Sequence, residues 1–279
     1  MIKKPDFAHT YVPPAPSQTQ PPMLAIVGEQ PGKSEIFHRP LPTPFVGPTG
    51  RELDRCLMTA NIPRSSCYLT NVIKDLDAPL KAYLDISKKT PFVSEKARVY
   101  INLLKEELEQ CSANVVVATG NVPLYALCSR TGITKWRGSI LESTLIPGLK
   151  VIPTVHPATI IPPKMVYLNK HLLTLDLKRA KEQSAFPEIR SLERHIHLQP
   201  SYGDAINWLD NAYHLGMEGK VIDYDIEIYN EQVSCISFAT SATEVMCIPF
   251  VDSQGDYFAL DQEAEIWRRI AILLEKGNI

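Results

Sequence analysis

Short apolar segments alternate with segments of helical periodicity over residues 23–182, which is the pattern of an α/β domain. Each apolar run is short and bounded by turn residues, so each predicts a buried strand. Predicted strands are 23–27, 67–73, 113–118 and 150–153, and predicted helices are 50–62, 93–111, 121–129 and 166–182. The expected fold is a three-layer sandwich around a central, mostly parallel four-stranded sheet.

A second unit follows a polar connector. Residues 201–215 and 262–274 have helical spacing, whereas 220–229 alternates strictly between polar and apolar residues. Two further apolar runs, 233–238 and 244–250, extend this strand into a predicted meander. The expected organisation is a proline-rich leader at 1–22, a first domain at 23–183, a linker at 184–200 and a second domain at 201–279.

Charge separates the same two units. Residues 1–186 contain 23 Lys and Arg and 15 Asp and Glu. Residues 187–279 contain 6 Lys and Arg and 16 Asp and Glu, and the whole chain has a net charge of −2. The first unit is therefore the better electrostatic candidate for binding a polyanion. The acidic second unit would need metal ions to handle phosphate.

Cysteine usage and hydropathy exclude several classes of protein. The six cysteines are scattered without a C-x-x-C pair, which indicates neither a zinc site nor a disulfide framework. No apolar run is long enough to span a membrane, and Met1 does not open a signal-peptide pattern. We expect a reduced, cytoplasmic setting and no membrane partner.

The segment 28–50 is rich in glycine and proline and joins the first predicted strand to a helix. It lacks the spacing of a phosphate-binding loop or of a dinucleotide fingerprint. Taken alone, it is equally compatible with a surface loop and with a ligand pocket. Glu29, Asn71 and His156 each follow a predicted strand, and such strand ends converge on one edge of a parallel sheet.

Four motifs in order carry a family resemblance: GEQPG at 28–32, PFVGPTG at 44–50, LTNVIK at 69–74 and VHPA at 155–158. The chain resembles the uracil-DNA glycosylase superfamily over roughly 23–182, and its family 4 branch in particular. ITKWRGSI at 133–140 also resembles the stretch that precedes the last motif in that family. The resemblance implies that the protein binds DNA and hydrolyses the N-glycosidic bond of uracil.

The resemblance also implies roles for individual residues. Phe45 would stack on the flipped base, Asn71 would read its polar edge, and His156 would stabilise negative charge on the departing uracil. Glu29 would activate water or stabilise a cationic sugar. The alternatives are a core phenylalanine, a turn-forming asparagine, a structural histidine and a solvent-facing carboxylate. Further candidates are Gln30 and Gly32 for base contacts, and Lys33, Arg39, Arg51, Lys74 and Lys164 for DNA phosphates, although each cation alone also fits a solvated surface charge.

Two departures from the family pattern limit these implications. Family 4 members hold an iron–sulfur cluster on four cysteines, but no cysteine precedes Cys56, and Asp75 stands where the family has one. We therefore expect no cluster and no other cofactor in the first domain. The loop after Asn71 also lacks the K-R-x-x-H pattern of the branch that cross-links to DNA. An intact fold with reduced or absent glycosylase activity is compatible with these departures.

The second unit resembles the start of the 3′–5′ exonuclease domain of family A DNA polymerases, through VIDYDIEIYNEQVSCISFA at 221–239. This implies a partial RNase H-like α/β fold in which Asp225 and Glu227 bind Mg or Mn. The alternative is an acidic solvent face. The other carboxylate motifs of such a domain are missing, so we expect a truncated exonuclease, and the remainder of a phage-type polymerase as partner.

The favoured function is a DNA-processing enzyme of a bacterial host cell, with a uracil-DNA glycosylase-like region fused to a DNA polymerase. The alternative is a non-catalytic module that senses uracil or grips template DNA. A third interpretation, an unrelated α/β hydrolase or nucleotide-binding protein, is disfavoured because the chain has no G-x-S-x-G motif and no phosphate loop.

Overall fold

A computed structural model describes residues 10–190 and 193–278 of the 279-residue chain. The chain forms two compact units, Met1–Ile189 and Arg190–Ile279. The first nine residues of the expected leader, two residues of the expected linker and the last residue lie outside the described residues.

The first unit is built on a five-stranded sheet. Its strands and two short paired strands are β1 Leu24–Gly28, β2 Cys67–Asn71, β3 Leu84–Asp85, β4 Phe92–Val93, β5 Val115–Thr119, β6 Leu141–Glu142 and β7 Lys150–Thr154. The sheet order is β2-β1-β5-β7-β6, and only the β6–β7 pairing within it is antiparallel. The expectation of a mostly parallel sheet is confirmed.

The expected number of four strands was wrong. The fifth strand, β6, is two residues long, and its periodicity is therefore too short to be recognised in the sequence. It pairs with β7 at the edge of the sheet, so it leaves the order of the four parallel strands unchanged.

Helices cover both faces of this sheet. They are α1 Lys33–Ile36, α2 Pro48–Thr59, α3 Leu80–Tyr83, α4 Glu95–Cys111, α5 Asn121–Cys128, α6 Ile133–Trp136 and α7 Leu168–Gln183. Alternate residues of β1 enter opposite cores: Ala25 and Val27 pack with α4 and α5, and Leu24 and Ile26 pack with α2 and α7. Burial on both faces explains why the strands are continuous apolar runs rather than alternating ones.

The chain before β1 lies along the outer edge of β2. The backbone N–H of Val12 donates to the carbonyl of Lys74 at 2.7 Å, and Ala15 and Leu69 exchange backbone hydrogen bonds of 2.8 and 3.0 Å. These bonds satisfy backbone groups that an exposed sheet edge would leave unpaired.

The second unit pairs a small sheet with two helices. Its elements are β8 His195–His197, α8 Tyr202–Met217, β9 Asp223–Tyr229, β10 Gln232–Ala239, β11 Glu244–Pro249, β12 Val251–Asp252, β13 Gly255–Asp256 and α9 Leu260–Lys276. The four-stranded order is β8-β11-β10-β9, with β9, β10 and β11 antiparallel and β8 parallel to β11. The predicted meander and both predicted helices are present. β8 lies inside the segment that was expected to be a linker.

None of the helices in the described parts of the chain combines the length and the apolar character needed to cross a membrane.

A buried ion pair joins the chain just after β2 to helix α4. Lys74 and Glu107 have side-chain exposures of 0%, and Nζ of Lys74 lies 2.6 Å from Oε2 of Glu107. Thr70 joins them, because its hydroxyl donates to the same carboxylate oxygen at 2.8 Å and accepts from Nζ at 2.6 Å. Burial lowers the pKa of Lys74, and the negative charge of Glu107 opposes this shift.

We predict that breaking this pair destabilises the protein. Lys74→Met alone should lower the free energy of unfolding by about 3–5 kcal/mol, since it leaves Glu107 charged and buried. Lys74→Met combined with Glu107→Leu should recover most of that loss. Urea denaturation measures both values. The control is Lys105→Met, which removes the partly exposed ion pair with Glu109 on α4, the helix that carries Glu107. It should lower the free energy of unfolding by less than about 1 kcal/mol.

Candidate active site

Parallel strand ends bring the predicted site residues to one edge of the sheet. Gly28 of β1 is in register with Asn71 of β2, and Thr119 of β5 is in register with Thr154 of β7. Glu29 directly follows β1, and His156 lies two residues beyond β7. This carboxyl edge is where α/β sheets bind their ligands.

A cavity of about 300 Å³ opens at this edge. Two residues of its lining pack against Gly28: a Cβ there would lie 2.6 Å from Cζ of Phe45 and would overlap Oδ1 of Asn71. The phenyl ring and the amide therefore occupy the space that a side chain at position 28 would fill. Residues that line the cavity are Gln30, Gly32, Lys33, Ser34, Glu35, Phe45, Gly47, Pro48, Thr49, Asn71 and His156.

The amide of Asn71 has no hydrogen-bond partner among the described residues, although the residue is only 6% exposed. Its side-chain oxygen and nitrogen are not among the fully enclosed, unpaired atoms of the described residues, so they are reached by solvent at the cavity. Here the unpaired amide faces a cavity, so it is available to a ligand that offers both a donor and an acceptor.

Contacts of its backbone, rather than the intrinsic preference of phenylalanine, hold Phe45 in its conformation. Its φ of 57° is in the left-handed region, which is unfavourable for a residue with a bulky side chain. Its N–H donates to Oε1 of Glu35, whose Oε2 accepts from the N–H of Gly32 at 2.6 Å. The carbonyl of Phe45 packs directly on Gly50, where a Cβ would not fit.

Glu35 lines the candidate site, but it was not singled out from the sequence. Its buried carboxylate bridges the two halves of the loop 28–50, and burial raises its pKa, opposed by its backbone hydrogen bonds and by Arg64. A carboxylate three residues beyond a GEQPG turn, within a loop rich in glycine and proline, was the available signal.

Two of the expected base contacts are already engaged within the protein. Nε2 of Gln30 donates to the carbonyls of Asp75 and Ala78 at 2.9 and 2.8 Å, so its amide hydrogens face away from a ligand. The N–H of Gly32 is bound by Glu35. Both residues line the cavity, and their contact with a base through the groups that these bonds leave open stays a prediction.

His156 is half-buried and oriented by the chain that follows it. Its Nδ1 accepts a hydrogen bond from the N–H of Ala158 at 3.1 Å, which leaves the ring proton on Nε2. Burial lowers the pKa of His156, with a smaller contribution in the same direction from Lys164 and an opposing one from Glu29. The imidazole is therefore neutral at pH 7 and presents an N–H donor.

Glu29 and His156 meet across Gly120. A Cβ at Gly120 would lie 2.6 Å from Oε1 of Glu29 and 3.3 Å from Cβ of His156, and the φ of +102° also requires glycine there. The two side chains line a second cavity of about 380 Å³, which reaches Lys164 and Asn169. His156 lines both cavities, whereas Glu29 lines only the second.

The structure separates the predicted cations. Lys33, Arg39, Arg51 and Lys164 are exposed, and Lys33 and Lys164 line the first and second cavities respectively. Lys74 is the exception. Its ammonium is fully buried against Glu107, so it cannot contact a DNA phosphate, and the prediction of that contact was wrong.

Asp225 and Glu227 lie two residues apart on β9, and both are exposed. β9 is the edge strand of its sheet. Within residues 10–190 and 193–278, His, Cys, Asp and Glu do not form a group of three that could hold a metal ion. The metal-binding role of this pair therefore stays a prediction.

These features define a class of protein: an α/β domain with a pocket at the carboxyl edge of its mostly parallel sheet. The sequence model of the uracil DNA glycosylase superfamily matches residues 17–173, and the chain belongs to that superfamily. The resemblance drawn from the four motifs is confirmed at this level.

Two curated relatives are similar to this chain. A type-4 uracil-DNA glycosylase of Archaeoglobus fulgidus is 28% identical over 144 residues, which are 50% of this chain and 66% of the relative. A DNA polymerase of Bacillus phage SP01 is 27% identical over 139 residues, which are 50% of this chain and 13% of the relative. The match thus spans only part of either relative.

We predict that Gly28→Ala closes the first cavity. The added methyl group would collide with Asn71 and with Phe45, so binding of uracil should be lost while the fold persists. Uracil titration followed by NMR measures binding, and circular dichroism monitors the fold. The control is Gly203→Ala, where the nearest atom would be 3.9 Å away, and it should bind as wild type does. Unchanged affinity in Gly28→Ala would show that the ligand binds elsewhere.

Proposed function

We propose that the first unit is a uracil-DNA glycosylase that hydrolyses the N-glycosidic bond of uracil in DNA. The amide of Asn71, which lines the cavity with Phe45 and makes no hydrogen bond to another described residue, carries this proposal. Uracil presents a carbonyl next to an N–H, so a side-chain amide can both donate to it and accept from it. The similarity to an archaeal protein named as a type-4 uracil-DNA glycosylase supports the same reaction.

Recognition in this proposal requires that the base leaves the DNA stack. The flipped uracil enters the first cavity, where the ring of Phe45 covers one face and Asn71 binds the polar edge. The cost of unstacking is offset by these contacts only if their positions are fixed in advance. Glu35 provides that fixation, because it holds the backbone of Phe45 and of Gly32 together.

Bond cleavage follows from the arrangement around His156. As the glycosidic bond breaks, negative charge develops on uracil, and the Nε2–H of the neutral imidazole donates to it. Glu29, across Gly120, lies where its carboxylate can stabilise positive charge on the sugar or accept a proton from the attacking water. His156 links the two steps, since it borders both cavities.

A non-catalytic uracil sensor is the second candidate. The observation that favours it is the internal engagement of Gln30 and Gly32, which reduces the number of groups that can contact the base.

We also propose that the second unit is part of a 3′–5′ exonuclease within a larger polymerase chain. The phage relative's name and the carboxylates at Asp225 and Glu227 support this context.

We predict that the purified chain releases uracil from a labelled oligonucleotide, detected as cleavage after alkali treatment. Removing a donor to the developing charge, as in His156→Ala, should slow release by about 10²–10³-fold. Glu29→Gln and Asn71→Ala should also slow it, the latter with weaker binding of free uracil. Single-stranded and double-stranded substrates are compared, and Lys105→Gln serves as control.

The pH dependence tests the protonation state of His156. Because its pKa lies below the ordinary value of about 6.5, the imidazole stays neutral above that pH, and His156 should give no inflection between pH 6.5 and 8. An inflection in this range that disappears in His156→Ala would contradict the mechanism. If wild type binds uracil DNA but never cleaves it, the sensor is favoured.

The outer face of α7 extends the basic surface near the second cavity. Lys170, His171 and Lys178 are exposed, line one groove with Thr174, and make no ion pair with any residue in the described ranges. The groove begins beside Asn169, which lines the second cavity. We propose that the DNA backbone follows this face away from the site.

We predict that Lys170→Gln with Lys178→Gln weakens DNA binding without affecting bond cleavage. Each lost phosphate contact should reduce the slope of log affinity against log salt by about 0.9 for duplex DNA. Fluorescence anisotropy over a salt series measures the slope, with Lys105→Gln as control. Single-turnover cleavage at saturating protein should be unchanged. A slope equal to that of wild type would exclude α7 from the interface.

A further inference from the structure

Asp75 is a buried carboxylate that the proposed chemistry does not use. It lies four residues beyond Asn71 and has no exposed surface. Its carboxylate accepts from the hydroxyls of Tyr83 and Tyr100, lies 2.8 Å from Nζ of Lys96, and accepts from the N–H of Asp77 at 3.1 Å. Such a concentration of donors stabilises a negative charge that burial alone would make costly.

The contacts with Asp75 favour the protonated forms of Lys96 and Tyr100. Burial would lower the pKa of Lys96, but the hydrogen bonds and charges of Asp75 and Tyr83 raise it. Burial, and then the hydrogen bond to Asp75, raises the pKa of Tyr100. The ammonium therefore stays charged and the phenol stays protonated, so both continue to donate to Asp75 throughout the neutral range.

This chemistry does not fit the iron–sulfur cluster of the resembled family. A cluster requires thiolates, but the position of one family cysteine is filled by Asp75 with phenol and ammonium partners. The cysteines of the first unit are buried thiols whose pKa is raised by burial, which disfavours ligation: Cys56, Cys67, Cys111 and Cys128.

The network is connected to the first cavity by the loop 75–78. The carbonyls of Asp75 and Ala78 accept from Nε2 of Gln30, and Gln30 lines the cavity. The side chain of Asp75 is fixed by α4, through Lys96 and Tyr100, while its own backbone fixes Gln30. A displacement of Asp75 would therefore be transmitted to the cavity wall.

We propose that Asp75, with Tyr83, Tyr100 and Lys96, anchors the loop 75–78 where the resembled family uses a metal-bound cysteine, and that this anchor positions Gln30 at the cavity. Asp75 is thus a positioning residue, and the part of the proposal that concerns uracil rests on the proposed function. Hydrogen bonds and charge replace a prosthetic group as the support for the loop.

The decisive variant is Asp75→Asn, which keeps the size of the side chain but points an amide N–H₂ at groups that donate. The NMR resonances of the Gln30 side-chain amide should shift, and the KM for uracil DNA should rise by on the order of tenfold with little change in kcat. Asp75→Glu, which restores the charge, should recover part of the affinity.

A matched control separates positioning from general destabilisation. Glu107→Gln weakens the neighbouring buried pair with Lys74 without touching the loop 75–78, and it should lower stability while leaving KM and the Gln30 resonances unchanged. Both variants are assayed well below their melting temperatures. If Glu107→Gln raises KM as much as Asp75→Asn does, the positioning role is wrong.

Two readouts are independent of catalysis. Iron analysis and visible absorbance of the chain, purified without oxygen, should show no cluster in wild type or in Asp75→Cys. The Gln30 resonances report on the anchor even if the chain never cleaves uracil DNA, so failure of the proposed function is distinguished from failure of the anchor. A stoichiometric cluster in wild type, or unmoved Gln30 resonances in Asp75→Asn, would overturn the proposal.

Discussion

The missing side chain at Gly28 is the constraint on which the candidate site depends. Parallel pairing places Gly28 beside Asn71, and the amide and the ring of Phe45 both enter the volume that a Cβ would occupy. The positions of Asn71 and Phe45 in the cavity lining thus depend on strand register and on one glycine. Phe45 reaches the cavity only through a left-handed backbone conformation, which costs of order 1–3 kcal/mol. The hydrogen bond from its N–H to the buried Glu35 stabilises this conformation.

Buried polar groups around this edge divide into two kinds. Lys74 and Asp75 have lost all contact with solvent, but each is compensated by opposite charge and hydrogen bonds, so they support the framework. Asn71 is almost as buried and lacks such compensation within the described chain. An uncompensated group next to a cavity favours the state in which a ligand supplies the missing partners. Under the proposed function, hydrogen bonds thus serve two purposes: within the protein they stabilise Lys74 and Asp75, and at Asn71 they would bind the ligand.

The sequence was sufficient for those features that depend on local pattern. Apolar runs located the four parallel strands, and the residues after them, Glu29 and His156, do lie at one edge. It was insufficient where burial depends on a distant partner. Lys74 looked like a surface cation because charge alone does not reveal Glu107, 33 residues away, beneath it. Glu35 escaped notice for a related reason: its role arises only when the loop folds back and brings Gly32 and Phe45 to one carboxylate.

Under the proposed function, the opposite charges of the two units would give them different ways of engaging DNA. The first unit exposes lysines and arginines near its cavities and can meet phosphates directly, with an affinity that falls as salt rises. The second unit carries 16 Asp and Glu against 6 Lys and Arg in residues 187–279, including Asp225 and Glu227 on an exposed edge strand. Those carboxylates repel phosphate unless cations intervene. Under the proposed function, capture of DNA by the first unit would be independent of divalent metal, whereas a reaction on phosphate by the second would require it, and a chelator would separate the two activities.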